Sequence, residues 1–141
     1  MSDENLTKLE RRNLKLVDEW AATWNQPGGS SDRLVNHIYA DATEVRAPLQ
    51  PNVLLRSGES KAGFLATEQA AANAMRERKM IFHQSVARGN TVAVEVEVPY
   101  TMTDGREGTD WFAAFLTFDD DGRILRDHTF MRDRPFSPHK T

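Results

Sequence analysis

The sequence predicts an α+β fold: a cone-shaped, curved antiparallel sheet, built as a meander plus one short strand, with three N-terminal helices packed on its concave face. Three observations carry this. Apolar residues recur every three or four positions up to Met80 and every two thereafter, a change from helical to strand periodicity. Three turn pairs, Gly89-Asn90, Asp104-Gly105 and Asp121-Gly122, punctuate the second half, each with a glycine free to take the positive φ of a tight hairpin. The chain has 141 residues, 39% of them hydrophobic, with three Trp and seven Phe, enough apolar bulk for one core.

Thr7 and Glu10 have capping-box spacing, Asp3 is an alternative cap for a slightly longer helix, and Leu9, Leu16, Val17, Trp20, Ala21 and Trp24 form one helical stripe as far as Asn25. Pro27-Gly28-Gly29-Ser30 ends that helix. Ser31 or Asp32 caps a short second helix with Leu34, Val35, Ile38 and Tyr39 inward. Residues 41–47 read as a turn and a short strand closed by Pro48. Residues 49–58, with Pro51 and the patch Val53-Leu54-Leu55, read as a loop. From Ser60 to about Met80 an Ala-rich stretch with Phe64, Leu65, Ala71, Ala72 and Met75 on one side predicts the third helix. Four strands follow, roughly 81–88, 91–102, 109–118 and 123–132, and their short connections make them antiparallel neighbours. One domain is expected over 1–134, with a Pro-interrupted tail at 135–141.

Composition removes several functions. Eighteen Lys and Arg against 21 Asp and Glu leave a formal charge of −3, without the basic footprint that nucleic acid requires. The absence of Cys excludes disulfides, a thiolate nucleophile and Cys-ligated metal. The four His are scattered, with no His/carboxylate pair at helical spacing, so no metal site is expected. The acidic N-terminus lacks the apolar run of a secretory signal, and nowhere do ~18 apolar residues run together. The expectation is a cytoplasmic protein without a membrane partner.

Asp127 is the leading candidate for chemistry. On the last strand Leu125, Asp127, Thr129 and Met131 alternate with Ile124, Arg126, His128 and Phe130. If the first row faces the interior, its carboxylate loses hydration and its pKa rises, which suits acid or base work near neutral pH. With the opposite pleat, Asp127 sits in solvent or pairs with an Arg. His83, in a row with Ile81 and Ser85, is a second candidate, set against the commoner hydrogen-bonded structural histidine. His128 should point away from Asp127. Val92, Val94, Val96, Val98 and Tyr100 form an apolar row that the pleat favours as inward, leaving Glu95 and Glu97 outside, while the opposite register turns those two carboxylates inward.

Trp20, Trp24, Tyr39, Val96, Val98 and Phe112 are the expected walls of an apolar cavity between helices and sheet. On the penultimate strand both rows are apolar, Trp111, Ala113 and Phe115 on one side and Phe112, Ala114 and Leu116 on the other. A sheet of that kind is covered on both faces, by the helices and by a second copy of the chain, so a homodimer through the sheet face is expected.

Several strings, together with the order of elements, resemble a known family. They are Tyr39-Ala40-Asp41-Ala42-Thr43, Ser57-Gly58, Phe82-His83, Gly89-Asn90-Thr91-Val92-Ala93-Val94-Glu95 and Gly122-Arg123-Ile124-Leu125-Arg126-Asp127-His128. They look like the nuclear transport factor 2-like superfamily, and within it the SnoaL-like branch of polyketide cyclases, ketosteroid isomerases and limonene-epoxide-hydrolase-like enzymes. The resemblance spans about 16–132 and implies the conical α+β scaffold. It also implies a catalytic Asp127, because the hydrolase-like members carry a catalytic Arg-Asp pair on the final strand, matched here by Arg126-Asp127. In dehydratase-like relatives a strand histidine is the general base, a role that would fall to His83.

The chain departs from family patterns at two places. The hydrolase relay's Arg and second Asp fall at Val96 and Val98, or one residue over at Glu95 and Glu97, and neither register supplies an Arg. The pre-proline base of the steroid isomerases falls at Ala47, beside Pro48. The resulting expectation is cofactor-independent acid/base catalysis (isomerisation, cyclisation, dehydration or hydrolysis) on a small hydrophobic cyclic molecule. Asp127 is the acid/base, His83 a second group, and Tyr39 or Trp24 donors to a substrate oxygen. The alternative is a non-catalytic ligand-binding or dimerisation module on the same scaffold.

Overall fold

In the computed structural model, which describes residues 5–26, 31–47, 50–55 and 61–131, helix α1 (Lys8–Asn25) starts at a closed capping box. The Glu10 N–H donates to the Thr7 hydroxyl at 3.1 Å, and the Thr7 N–H donates to Glu10 Oε1 at 2.9 Å. Two donors at the helix start are thereby satisfied. Glu10 Oε2 also accepts from the Gly89 N–H at 2.8 Å, and the buried Asn13 side chain donates to the Gly89 carbonyl at 3.3 Å. These two ties hold the helix to a hairpin turn of the sheet. Val17, Trp20 and Ala21 face the core, while Leu9 in the first turn stays exposed. Thr7→Ala should cost about 1 kcal/mol of stability, read as a lower urea midpoint at unchanged m-value.

Helix α2 (Ser31–Arg33) is a single turn that continues as a wider π-type turn, Leu34–Ile38. Leu34 and Val35 are buried as expected. Tyr39, expected on this helix, instead opens strand β1 (Tyr39–Ala47). Strand β2 (Gln50–Leu55) pairs antiparallel with β1 where the proline-bearing sequence predicts a loop. Its place at the edge of the sheet explains the exception, because an edge strand is hydrogen-bonded on one side only and tolerates Pro51. Helix α3 (Lys61–Ala74) stops short of Met80, and Met75–Arg78 forms strand β3 instead. Pairing with a free sheet edge overrides local helix propensity here.

The meander follows as β4 (Ile81–Arg88), β5 (Thr91–Met102), β6 (Glu107–Phe118) and β7 (Ile124–Met131). The long β5 holds β4 and β3 end to end along one edge. At their junction the Lys79 N–H donates to the Pro99 carbonyl at 3.2 Å. The order β2-β1-β7-β6-β5-β3, with β4 also on β5, puts β1 parallel to β7, so the sheet is mixed at that one pair. The chain between them, which runs through β2, α3 and β3 to β6, is long enough to allow this, since parallel neighbours need a crossover rather than a hairpin. Register shifts in several pairings add the local twist of bulges, and the sheet curls around the helices. Val92, Val94, Val96 and Val98 pack with Leu116, Phe118 and Ile124 against Val17, Trp20, Leu34, Val35 and Phe64.

The alternative cap Asp3, the Pro27-Gly28-Gly29-Ser30 stop, Pro48, the Ser57-Gly58 string, the Ser60 cap and the tail 135–141 lie outside the described residues. Among the described residues, no helix is long and apolar enough to cross a membrane.

Candidate active site

Strand β7 carries a bulge at Leu125. Its pairing with β6 jumps from Thr117↔Arg126 to Phe118↔Ile124. The extra residue resets the alternation, so Ile124 and Asp127 are both buried while Leu125 is 42% exposed. Strict period-two reading, which puts Leu125 in the row of Asp127, fails at this point. Asp127 itself faces inward with 4% exposure.

Both carboxylate oxygens of Asp127 accept hydrogen bonds. The Tyr39 hydroxyl donates to Oδ2 at 2.6 Å and the Thr129 hydroxyl to Oδ1 at 2.7 Å. The Trp20 indole N–H donates in turn to the Tyr39 oxygen at 3.0 Å. Burial raises the Asp127 pKa above the ordinary carboxylate value, and the bonds from Tyr39 and Thr129 pull part of the way back. The Tyr39 pKa is pushed well up by its own burial and by the charge of Asp127, so its hydroxyl stays protonated. His128, one residue on, turns to the other face and meets Glu44 at 2.7 Å.

Tyr39 is placed by its backbone as much as by its ring. At the exit of the π-type turn its carbonyl accepts from Lys61 Nζ at 3.1 Å and Arg123 Nη2 at 2.8 Å. Its ring stands edge-on to Phe64, with centroids 4.9 Å apart. The ammonium of Lys61, the first residue of α3, also donates to the Val35 carbonyl at 2.7 Å and pairs with Asp41 at 3.5 Å.

Asp127 lines a cavity of about 110 Å³. Of the predicted walls, Trp20, Trp24, Tyr39, Val98 and Phe112 line it. Val96 does not: it is fully buried in the core row, with no surface left to offer a ligand. Met75, Met80, Tyr100, Asp110, Thr129 and Met131 complete the lining together with Glu68. The Tyr100 ring lies over its cross-strand partner Gly108, where an added Cβ would come within 2.6 Å of Tyr100 Cζ.

His83 is not brought to the cavity. It sits at a bulge in β4, where Phe82 takes the position packed on the core. The His83 imidazole lies on the outer face, 42% exposed, with Nε2 2.8 Å from Glu97 Oε1. Its ring packs against Trp111 at 4.8 Å. The sheet therefore separates it from Asp127. An aromatic neighbour in sequence does not reveal which face a strand histidine takes. Glu95 is exposed on that same outer face, as the valine row predicts.

Glu68 escapes sequence reasoning, although a signal is present. It lies four residues from both Phe64 and Ala72, which are buried, so a carboxylate interrupts the apolar side of α3. Its Oε2 is enclosed and has no hydrogen-bond partner. Burial pushes the Glu68 pKa up to about 7, with Arg78 opposing the rise and the Asp127 charge adding to it. Arg78 is itself held against Trp24, its guanidinium 3.8 Å from the ring centroid and its Nε donating to the Trp24 carbonyl at 2.9 Å. Two desolvated carboxylates thus face one aromatic cavity. Among the described residues, no three His, Cys, Asp or Glu side chains converge as metal ligands do.

No curated protein matches the chain in sequence. Solved structures share its fold. A proposed SnoaL-like polyketide cyclase from Jannaschia is 13% identical, with a TM-score of 0.73 covering 91% of this chain and 90% of that one. An LEH-like epoxide hydrolase from M. tuberculosis is 15% identical, with a TM-score of 0.66 covering 86% of this chain and 84% of that one. A hypothetical protein of ketosteroid isomerase-like fold from Catenulispora acidiphila, in complex with trimethylamine, is 15% identical, with a TM-score of 0.65 covering 82% of this chain and 84% of that one. At such identities the likeness is one of scaffold, which many chemistries share. The SnoaL-like domain matches residues 17–127, and the chain belongs to that family.

Proposed function

We propose that this protein moves a proton on a small hydrophobic cyclic molecule held against Asp127, without a cofactor, in an isomerisation, cyclisation, dehydration or hydrolysis. The observation that supports it is a buried carboxylate of raised pKa facing an apolar cavity. The Tyr39 and Thr129 bonds orient the carboxylate, and each oxygen keeps a lone pair for a substrate proton. A cavity of about 110 Å³ is smaller than the ~150 Å³ that holds benzene, so it suits the reacting end of a larger molecule. The reading rests on Asp127 without the hydrolase relay, because Val96 and Val98 occupy the inward row and no Arg stands there.

A non-catalytic binding module has one observation in its favour: both oxygens of Asp127 are already satisfied within the protein. Deuterium exchange beside the carbonyl separates the two. With a panel of cyclic ketones and cyclic aminoketones in D2O, followed by NMR, the wild type should exchange faster than Asp127→Asn. Equal rates refute proton transfer, and binding without exchange identifies the module.

A second copy of the chain is proposed to cover the outer face of the sheet. Phe115 and Phe130 are 48% and 61% exposed there, edge-on to each other at 6.2 Å. Contiguous exposed apolar surface of this kind marks an interaction site. Sedimentation should show a dimer that Phe130→Lys converts to monomer, and a monomeric wild type would refute the arrangement.

A further inference from the structure

We propose that the cavity binds a cationic alkylammonium group, with Glu68 and Asp127 as its counter-charges and the surrounding rings as its cage. The inference deepens the reading above by naming the ligand's charge, and rests on it only for the site.

Charge composition is the first support. The described lining contains Glu68, Asp110 and Asp127 and no Lys, Arg or His. Its aromatic walls are Trp20, Trp24, Tyr39, Tyr100 and Phe112. Aromatic faces around a desolvated space attract quaternary and tertiary ammonium groups through the ring quadrupole. Desolvation of Glu68 outweighs the attraction of Arg78, and a bound cation of the right size would offset the remaining cost of its charge.

The second support is independent of the rings. Glu68 lines the cavity, and its enclosed Oε2 makes no hydrogen bond within the protein. The donors around Asp127 are committed, since Tyr39 and Thr129 bond its oxygens and Trp20 bonds Tyr39. Among the described residues, the charged and titratable groups around Glu68 are Arg78, Asp127, Tyr39, Asp110 and Tyr100. Arg78 on β3 attracts its charge; Asp127 on β7 repels it; Tyr39 on β1 stays neutral. Asp110 on β6 and Tyr100 on β5 share the lining, and α1 contributes only indoles. Arg78 is engaged with the Trp24 ring and backbone, and its Nη1 makes no hydrogen bond. Glu68 and Asp127 both have raised pKa values, because burial outweighs the attraction of Arg78 for the one and the hydrogen bonds from Tyr39 and Thr129 to the other.

Choline and its neutral carbon isostere dimethylbutanol test the proposal by calorimetric titration at fixed ionic strength. Choline should bind at least about tenfold more tightly than the isostere, with affinity rising as pH passes about 7, where Glu68 ionises. Glu68→Gln, which keeps the shape, should lose most of that preference and its pH dependence. Equal affinity for the two probes, no choline binding, or an unchanged preference in Glu68→Gln overturns the proposal. The wild-type comparison of probes decides the matter even if the variant fails to fold. Choline preference without deuterium exchange would leave this inference standing and remove the proton-transfer reading, and exchange without charge preference would do the reverse.

Discussion

Asp127→Asn is expected to slow deuterium exchange on a bound cyclic ketone by about 10²–10⁴-fold, the usual contribution of one positioned acid/base group. The fold should survive. Asn has the same shape, its carbonyl can accept from the Tyr39 hydroxyl, and its amide can donate to the Thr129 oxygen, so both native hydrogen bonds have replacements. Burial raises the Asp127 pKa, which means that its charge opposes folding at neutral pH. Removing the charge should leave stability equal or higher. Exchange rate and urea midpoint measured on the same samples separate the outcomes: lost exchange at undiminished stability marks chemistry, whereas lost exchange with a falling midpoint marks a structural residue.

The second large effect is a pH dependence of stability set by Glu68. Its folded pKa, about 7, lies above its ordinary value of 4.5. A carboxyl group raised in this way holds its proton longer in the folded state. Its contribution is therefore fully favourable below pH 4.5 and is lost as pH rises through about 7. The difference corresponds to about 3 kcal/mol. Glu68→Gln cannot titrate, so it should be more stable than the wild type by up to about 3 kcal/mol at mildly alkaline pH. That advantage should vanish near pH 4.5. Urea unfolding of both proteins at the two pH values measures it directly, and a constant difference between them would remove the assignment of a raised pKa to Glu68. A stabilising substitution at a functional carboxylate would be the familiar exchange of stability for activity.

Much of this architecture is written locally. The Thr7–Glu10 box is a matter of side chains three residues apart, and it forms as the spacing requires. Gly89, Gly105 and Gly122 all take positive φ at the predicted hairpins. The valine row of β5 is buried at every second residue, which places Glu95 outside. Trp20, Trp24, Tyr39, Val98 and Phe112 line the cavity for the same reason: helical and strand periodicity report which side chains share a face.

Long-range pairing accounts for what periodicity misses. Pro51 argues against a strand only when both edges need hydrogen bonds, and β2 has one free edge. Met75–Arg78 abandons the helix because β5 offers an edge beyond the end of β4. The bulges at Leu125 and His83 shift alternation by one residue, and no local composition announces them.

Read alone, the chain of amino acids dictates the helix starts, the hairpins and the rows of apolar side chains, since each depends on neighbours a few positions apart. It also singles out Asp127. Folding in three dimensions brings Tyr39, Glu68 and Asp127 around one cavity and leaves His83 on the far side of the sheet. That arrangement depends on strand pairing and on the desolvation of charges by distant residues, quantities that exist only once the sheet has closed around the helices.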